Sequence, residues 1–298
     1  MSVELGRVGV WTWAFEASPW PEVRAAAQEI EQLGYGALWF GEMDGRDAVS
    51  QAALLLGATE RMVIAPGVAI IYRHHPATLA QAERALAEAY PGRFALGLGV
   101  SNRAYMEERG HTWQPPVRAM REYLDAMDAA PLTGPAGPRA PRLLAALGPK
   151  MVELAAERAW GAHPYFMPVE HTAYVRERLG PEAKLVVHQN ITLHEDPAEA
   201  RRLARSSLAP WLAMGDTTSS RWRLISELTG VTEADLAHGG SDRLVDAMIA
   251  HGDAEMIAER VRAQFAAGAD HVCISVATEF GVPELGLAQL RELAPVLL

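Results

Sequence analysis

Short apolar runs alternate with longer amphipathic stretches from one end of this chain to the other. Eight runs read as strands, at residues 8–12, 37–40, 63–70, 94–100, 142–146, 161–165, 184–190 and 271–276. The stretches between them read as helices at 19–33, 47–59, 76–90, 116–129, 149–159, 169–179, 197–212 and 253–267, with a last segment at 284–297. Strand then helix, repeated eight times, is the pattern of βα units around a parallel sheet, and eight of them favour a closed (β/α)8 TIM barrel over an open sheet.

The stretch from Tyr72 to Asn102 shows the pattern most clearly. Pro76 suits the first turn of a helix, where its missing N–H has no intrahelical partner, and Leu79, Ala82, Leu86 and Ala89 recur at helical spacing. Pro91-Gly92 ends that helix. Residues 94–100 are apolar on both faces, as a strand is when covered on both sides. Gly97 and Gly99 remove side chains there, which leaves room beside the strand end for a flat or anionic group. Elsewhere Ser18-Pro19 and Asp196-Pro197 place an N-cap oxygen before a proline, and Gly34 and Gly268 stand where a helix needs a left-handed C-terminal residue.

Composition narrows the class. No linker divides the 298 residues, and the Pro/Gly-rich loop 130–141 is too short for a tether, so residues 1–298 read as one domain. With 49% hydrophobic and 21% charged residues the chain has ample material for a globular core. A net charge of -10 supplies no basic stripe, which argues against nucleic acid or an anionic membrane as partner. The single cysteine, Cys273, sits in an apolar run and reads as a buried, inert thiol rather than part of a disulfide or zinc framework. No apolar run approaches the roughly 20 residues of a membrane helix. The N-terminal residues lack a basic region followed by a long apolar segment, so a soluble, cytoplasmic protein is expected.

In such barrels the site lies at the C-terminal ends of the strands. After the first run come Trp11, Thr12 and Trp13, which either wall a planar ring or fill the barrel top as core. After the second comes Glu42, the carboxylate placed nearest the chemistry, with a loop charge or helix partner as the plainer reading. Arg73, His74 and His75 follow the third: an anion contact, an acid active near neutral pH, or, for His75, a helix cap. Ser101 and Asn102 follow the fourth. Gly148-Pro149-Lys150 then opens a helix after the fifth, where free amides and the helix dipole make an anion site and Gly148 lets a phosphate approach, or the residues form a simple turn. His163 to Phe166 follow the sixth run. Gln189 and Asn190 on the seventh are amides that need partners, in a core network or on a ligand. Residues 214–242 form an insertion before the last βα unit, either a substrate lid or a packing arm between subunits.

Absent motifs also discriminate. The chain has no G-x-S-x-G elbow, P-loop, H-E-x-x-H or His-x-His on the first strand, the usual parts of serine hydrolases, nucleotide kinases and metal hydrolases, and no metal site is expected. Glycine-marked strand ends, indoles and a helix N-terminus without an obvious nucleophile suit a bound redox cofactor.

Six segments in this order carry a family likeness: Ala37-Leu-Trp-Phe-Gly-Glu42, Arg73-His-His-Pro-Ala-Thr-Leu-Ala80, Pro91-Gly-Arg-Phe-Ala-Leu-Gly-Leu-Gly-Val-Ser101, Ala145-Ala-Leu-Gly-Pro-Lys-Met151, Gly161-Ala-His-Pro-Tyr165, and Gly252-Asp-Ala-Glu with Ala267-Gly-Ala-Asp-His-Val272. The chain resembles the luciferase-like monooxygenase superfamily over nearly its whole length, and within it the oxidoreductases that use the deazaflavin coenzyme F420. The resemblance implies a TIM barrel whose mouth holds the ring against a bulge after the third strand, with a non-prolyl cis peptide that would fall near Ala69-Ile70. Phosphate contacts map onto Ser101 and Asn102 and onto Gly148, Pro149 and Lys150; Trp11, Ala69, Ile70 and Gly99 complete the expected cofactor set. Glu42 and His74 are the candidate catalytic groups. Two departures stand out: Val100-Ser101-Asn102 replaces a glutamate that some deazaflavin relatives carry after the fourth strand, and Arg73 lies one place before the position many relatives give to arginine.

The expected activity is hydride transfer between coenzyme F420 and a small organic substrate. The alternatives are an FMN-dependent monooxygenase on the same barrel and a non-catalytic flavin or deazaflavin binder. A homodimer is expected, as is common in the family.

Overall fold

A computed structural model describes residues 2–134, 137–214, 219–277 and 285–298. Residues 135–136 of the 130–141 loop, 215–218 of the insertion and Glu284 at the start of the last predicted segment lie outside the described residues. The strands are β1 (Val8–Thr12), β2 (Ala37–Phe40), β3 (Val63–Pro66), β4 (Ala69–Ile70), β5 (Leu96–Gly99), β6 (Arg142–Leu144), β7 (Gly161–Ala162), β8 (Lys184–Leu193), β9 (Ile249–Gly252) and β10 (His271–Val276). The helices are α1 (Trp20–Leu33), α2 (Ala48–Ala58), α3 (Pro76–Ala89), α4 (Arg103–Glu108), α5 (Pro116–Asp128), α6 (Pro149–Arg158), α7 (Val169–Leu179), α8 (Pro197–Met214), α9 (Ser220–Thr229), α10 (Asp242–Met248), α11 (Ala254–Ala266) and α12 (Leu287–Leu297).

Strand order is β3-β2-β1-β10-β8-β7-β6-β5-β4, with every pairing parallel. Because β3 and β4 are two halves of one run, that order returns on itself. A bridge between Ile64 and Phe94 draws the seam together, so the sheet is a nearly closed TIM barrel.

Alternation sends successive residues to opposite faces. Trp11, Trp39, Ala65, Leu143, Val186 and Cys273 pack inside the barrel, while Val10, Leu38, Ile64, Leu98, Val187 and Ile274 meet the surrounding helices. Large interior side chains are matched by missing ones: a Cβ on Gly9 would stand 2.6 Å from His271 Nε2. A second core joins Phe166 and Met167, after β7, to Leu208 of α8, Trp222 and Ile225 of α9 and Leu244 of α10. The described part of the insertion therefore docks on this chain's own barrel, at the C-terminal end of the strands. No helix among the described residues is long and apolar enough to cross a membrane.

Four expectations change. The third run is not continuous: it breaks at Gly67-Val68, where the cis peptide lies, because Ala69 and Ile70 are already in regular register with Leu98 and Gly99. The sixth run keeps only Gly161–Ala162 in the ladder. A ninth run, β9, pairs with Asn190 to Leu193 and lengthens β8; it follows α10 without a break, and so its few apolar residues look like helix. Ser18 does not cap α1, since its hydroxyl donates back to the Ala14 carbonyl at 2.9 Å.

Candidate active site

Glu42 leaves the end of β2 and turns inward, with no exposed side-chain surface. Its Oε2 accepts the Ile70 amide at 2.7 Å, and its Oε1 accepts the Ala48 amide at 3.1 Å and meets His74 Nε2 at 2.8 Å. One carboxylate thus ties β2, the start of α2 and β4 together. His74 Nδ1 lies 3.7 Å from Asp47 Oδ2. Burial disfavours the imidazolium, but the hydrogen bond and charge of Glu42 and the charge of Asp47 outweigh it and hold the His74 pKa above its ordinary value. Asp47 in turn caps α2 by accepting the Ser50 amide at 2.7 Å. These three residues are the one convergent group of metal-ligand types among the described residues, and hydrogen bonds already engage each of them.

The Gly67-Val68 bulge rests on this triad and on packing from below. Gly67 donates to the Phe40 carbonyl at 2.7 Å, and a Cβ there would stand 2.6 Å from Trp11 Nε1 and 2.9 Å from His163 Nε2. A Cβ on Gly97 would fall 2.2 Å from the Pro66 carbonyl oxygen, and one on Gly99 would fall 2.3 Å from Val68 Cγ2. The space these glycines open is filled by the bulge itself, not left for a ligand. That corrects the expectation for Gly99. Trp11 is also fully buried under Gly67 and is core rather than an open wall. Ala69 and Ile70 are buried strand residues, and half-buried Val68 is the part of the bulge that faces outward.

The two expected phosphate rims do come together. β5 and β6 are neighbours in parallel register, and Ala145 donates to the Leu98 carbonyl at 2.9 Å, so residues 101–102 and 148–150 emerge side by side. Ser101 adopts a left-handed conformation, φ 62°. Asn102 Oδ1 accepts the Tyr105 amide at 2.9 Å as the cap of α4. Gly148 is the N-cap of α6 without any side-chain cap, Pro149 follows in the first turn, and Lys150 is exposed. A Cβ on Gly148 would meet nothing within 4 Å. The α6 N-terminus is open to an anion, which fits the phosphate of a ring-bearing coenzyme.

Across the mouth, Trp13 Nε1 donates to the Tyr165 hydroxyl at 2.8 Å, and the Tyr165 ring lies 4.2 Å from that of His188. His188 is 1% exposed, and neither of its ring nitrogens has a partner among the described residues. Burial holds His188 well below its ordinary pKa and pushes His163 and His271 down to about 4, so all three are neutral near pH 7. His271 is held by Trp39 Nε1, at 3.2 Å, and by the Gly6 carbonyl, at 2.9 Å; His163 Nδ1 is bonded to the Val186 carbonyl at 3.0 Å. Along β8 the alternation that turns His188 inward also turns Asn190 and Thr192 inward, and Ser275 of β10 stands in register beside Asn190. Gln189 faces the helices instead, accepting from Gln264 Nε2 at 2.8 Å. Cys273 is buried, with Sγ 3.2 Å from the Val187 carbonyl, and burial pushes its thiol pKa up.

Sequence reasoning missed Arg221, on α9, which reaches this end of the barrel only because Trp222 and Ile225 dock on Phe166. It also passed over His188, Thr192 and Ser275. Their signal was present as polar positions on the inward register of two apolar strands.

A family model described as luciferase-like monooxygenase matches residues 5–271, and the chain belongs to that family. It is an oxidoreductase of the luciferase-like class. Among curated proteins it is 25% identical over 284 residues to 5,10-methylenetetrahydromethanopterin reductase of Archaeoglobus fulgidus, covering 81% of this chain and 85% of that one. The coenzyme F420 dependent tetrahydromethanopterin reductase of Methanopyrus kandleri superposes with a TM-score of 0.76 at 15% identity, over 99% of both chains. The oxygenating constituent of 3,6-diketocamphane monooxygenase from Pseudomonas putida, in complex with FMN, superposes with a TM-score of 0.73 at 16% identity, over 100% of this chain and 99% of that one. At those identities the two superpositions establish the fold alone.

Proposed function

We propose that this protein uses coenzyme F420 to transfer a hydride to or from a small organic substrate. The observation that carries the reading is the junction of the Gly67-Val68 bulge with the open N-terminus of α6 at one end of the barrel. The F420-dependent solved relative and the reductase relative from Archaeoglobus support it. When bound, the deazaflavin supplies the hydride acceptor or donor at its ring carbon C5. Gly148, Pro149 and Lys150 would hold its phosphate, with Ser101 and Asn102 on the neighbouring rim. Val68 would support the ring, while Glu42 and His74 fix the bulge from behind. Buried and fully hydrogen-bonded, Glu42 acts here by positioning; His74 is the group of this pair that retains some exposure. Trp13 and Tyr165 would exclude water from the substrate side.

The FMN-bound relative supports a second reading, an FMN-dependent monooxygenase on the same scaffold. Titrating the purified protein separately with coenzyme F420 and with FMN, while following absorbance and oxygen uptake, separates them. Tight F420 binding with substrate-dependent bleaching and no oxygen uptake is expected. FMN binding with oxygen consumption would replace this reading by the second, and binding of either without turnover would leave only a carrier.

A further inference from the structure

We infer that the substrate carries a compact anionic group, a carboxylate or phosphate, which Arg221 receives against a polar wall formed by His188, Asn190, Thr192 and Ser275. The inference rests on the reading above for the reaction, but the anion site itself needs no coenzyme.

Three observations converge on it. The first is the isolation of Arg221. In a chain with 37 acidic and 27 basic residues, other arginines withdrawn from solvent are engaged, among them Arg142 with Glu83 and Asp128, Arg176 with Asp270, and Arg260 with the Asp246 and Ala247 carbonyls. Arg221 is half-buried and has no hydrogen-bond or ion-pair partner among the described residues. Its neighbour Trp222 shares a core with Phe166, whose ring centre lies 6.3 Å from that of Tyr165, and α9 packs on α7, which sets Arg221 at this end of the barrel; burial there lowers its pKa. A charge withdrawn from water without a counter-ion is costly, and an anionic ligand would relieve that cost.

The second is the wall it faces. His188 and Thr192 are 1% and 2% exposed, with both His188 ring nitrogens and Thr192 Oγ1 unpartnered. Asn190 and Ser275, in register on neighbouring strands, also lack side-chain partners among the described residues. Buried polar groups in folded proteins are nearly always satisfied, so the unpartnered His188 and Thr192, with Asn190 and Ser275 beside them on the same inward face, mark a place where a polar ligand completes the set.

The third is the complementary surface. Trp13, Tyr165 and Trp211 lie beside His188, with Tyr165 and Trp211 ring centres 5.8 Å apart, and offer apolar area for a carbon skeleton. The expected coenzyme phosphate belongs to the β5 and β6 rims, on the far side of β7 from this wall. An anion held between Arg221 and this wall is therefore distinct from that phosphate and belongs to the substrate.

The test uses intrinsic tryptophan fluorescence of the whole protein, with and without bound coenzyme F420. Lactate and glycerol 3-phosphate serve as anionic probes, and 2-propanol and glycerol as their uncharged counterparts. At least one anion should quench saturably where its counterpart does not. Arg221→Gln should weaken that binding about tenfold or more, and Arg221→Lys should restore part of it, while F420 affinity stays within about twofold. Equal binding of charged and uncharged probes, no saturable quench by either anion, or unchanged binding in Arg221→Gln would overturn the inference. So would a loss of F420 affinity in Arg221→Gln with competition between F420 and the anion, which would assign the arginine to the coenzyme's phosphate. Anion binding that depends on Arg221 in a protein that fails to bind F420 would uphold this site and overturn only the proposed coenzyme.

Discussion

Glu42 and Ile70 meet across the seam between β2 and β4: the carboxylate accepts the Ile70 amide at 2.7 Å, two residues past the Gly67-Val68 bond. The contact makes an acidic residue at a strand end into the strut of the bulge. Replacing Glu42 by Gln keeps the shape but removes the charge that His74 and two amides share. Loss of charge-assisted hydrogen bonds of this kind costs about 1.5–3 kcal/mol. Glu42→Gln should lower the urea midpoint accordingly, bring the His74 pKa down in an NMR titration, and weaken F420 binding. Wild-type values in all three would remove Glu42 from the support of the bulge.

Gly99→Ala should be destabilising by about 1–3 kcal/mol, the usual cost of overpacking, because its Cβ would lie 2.3 Å from Val68 Cγ2. Val68→Ala removes that atom. The double variant should recover most of the loss, and a thermodynamic cycle over the four proteins measures the coupling. Additive effects would mean that Gly99 does not make room for Val68.

Gly148→Ala should behave in the opposite way. Nothing stands within 4 Å of the new Cβ and the backbone has a φ of -88°, so stability should change by about 1 kcal/mol or less. F420 affinity should nonetheless fall, since the methyl group occupies the approach to the α6 amides. Calorimetric titration of both proteins decides the matter: an unchanged affinity would place the phosphate elsewhere.

The pH dependence of stability follows from the buried histidines. Burial takes His163, His171 and His271 down to about 4 in the folded protein, whereas unfolded histidines take up a proton near pH 6.5. Between those values the unfolded chain binds more protons. Stability from these residues is thus complete above about pH 6.5 and lost progressively as pH falls toward 4. His74 runs the other way, contributing most below about pH 6.5 and losing its contribution as pH rises through its raised folded pKa. Urea midpoints from pH 4 to 8 should show a steep acid limb, which His271→Asn should make shallower.

On the outer face, Glu83 is 1% exposed and Arg142 Nη2 lies 2.6 Å from its Oε2. Burial raises the Glu83 pKa against the opposing pull of Arg142. Glu83→Ala should cost about 1.5–3 kcal/mol, because Arg142 loses its charge-assisted bonds to Glu83 while Asp128 still holds Nη1 at 2.8 Å, and Glu83→Leu with Arg142→Met should cost less. Thermal melts of the three proteins check this.

The limits of sequence reading fall at particular residues. β1, β2, β10 and α7 begin and end where hydrophobic periodicity puts them. β9 does not show, because its pairing with β8 is a long-range contact that local pattern cannot report. Ser101, Asn102, Gly148 and Lys150 were legible as loop residues at strand ends. The role of Gly99 was not, since a glycine looks the same whether the space beside it is taken by a ligand or by Val68.

By itself the sequence determined the eightfold βα repeat, the end of the barrel at which a site is to be sought, and the family. Each of these depends on periodicity, caps and turn residues, which act over a few neighbouring positions. Only the tertiary structure decided that Glu42 is a strut, that Trp11 is core, that the bulge sits at Gly67-Val68, and that Arg221 arrives over His188. Those outcomes turn on strand register and on the docking of distant helices, where ångström distances between residues far apart in the chain choose the partner of each polar group.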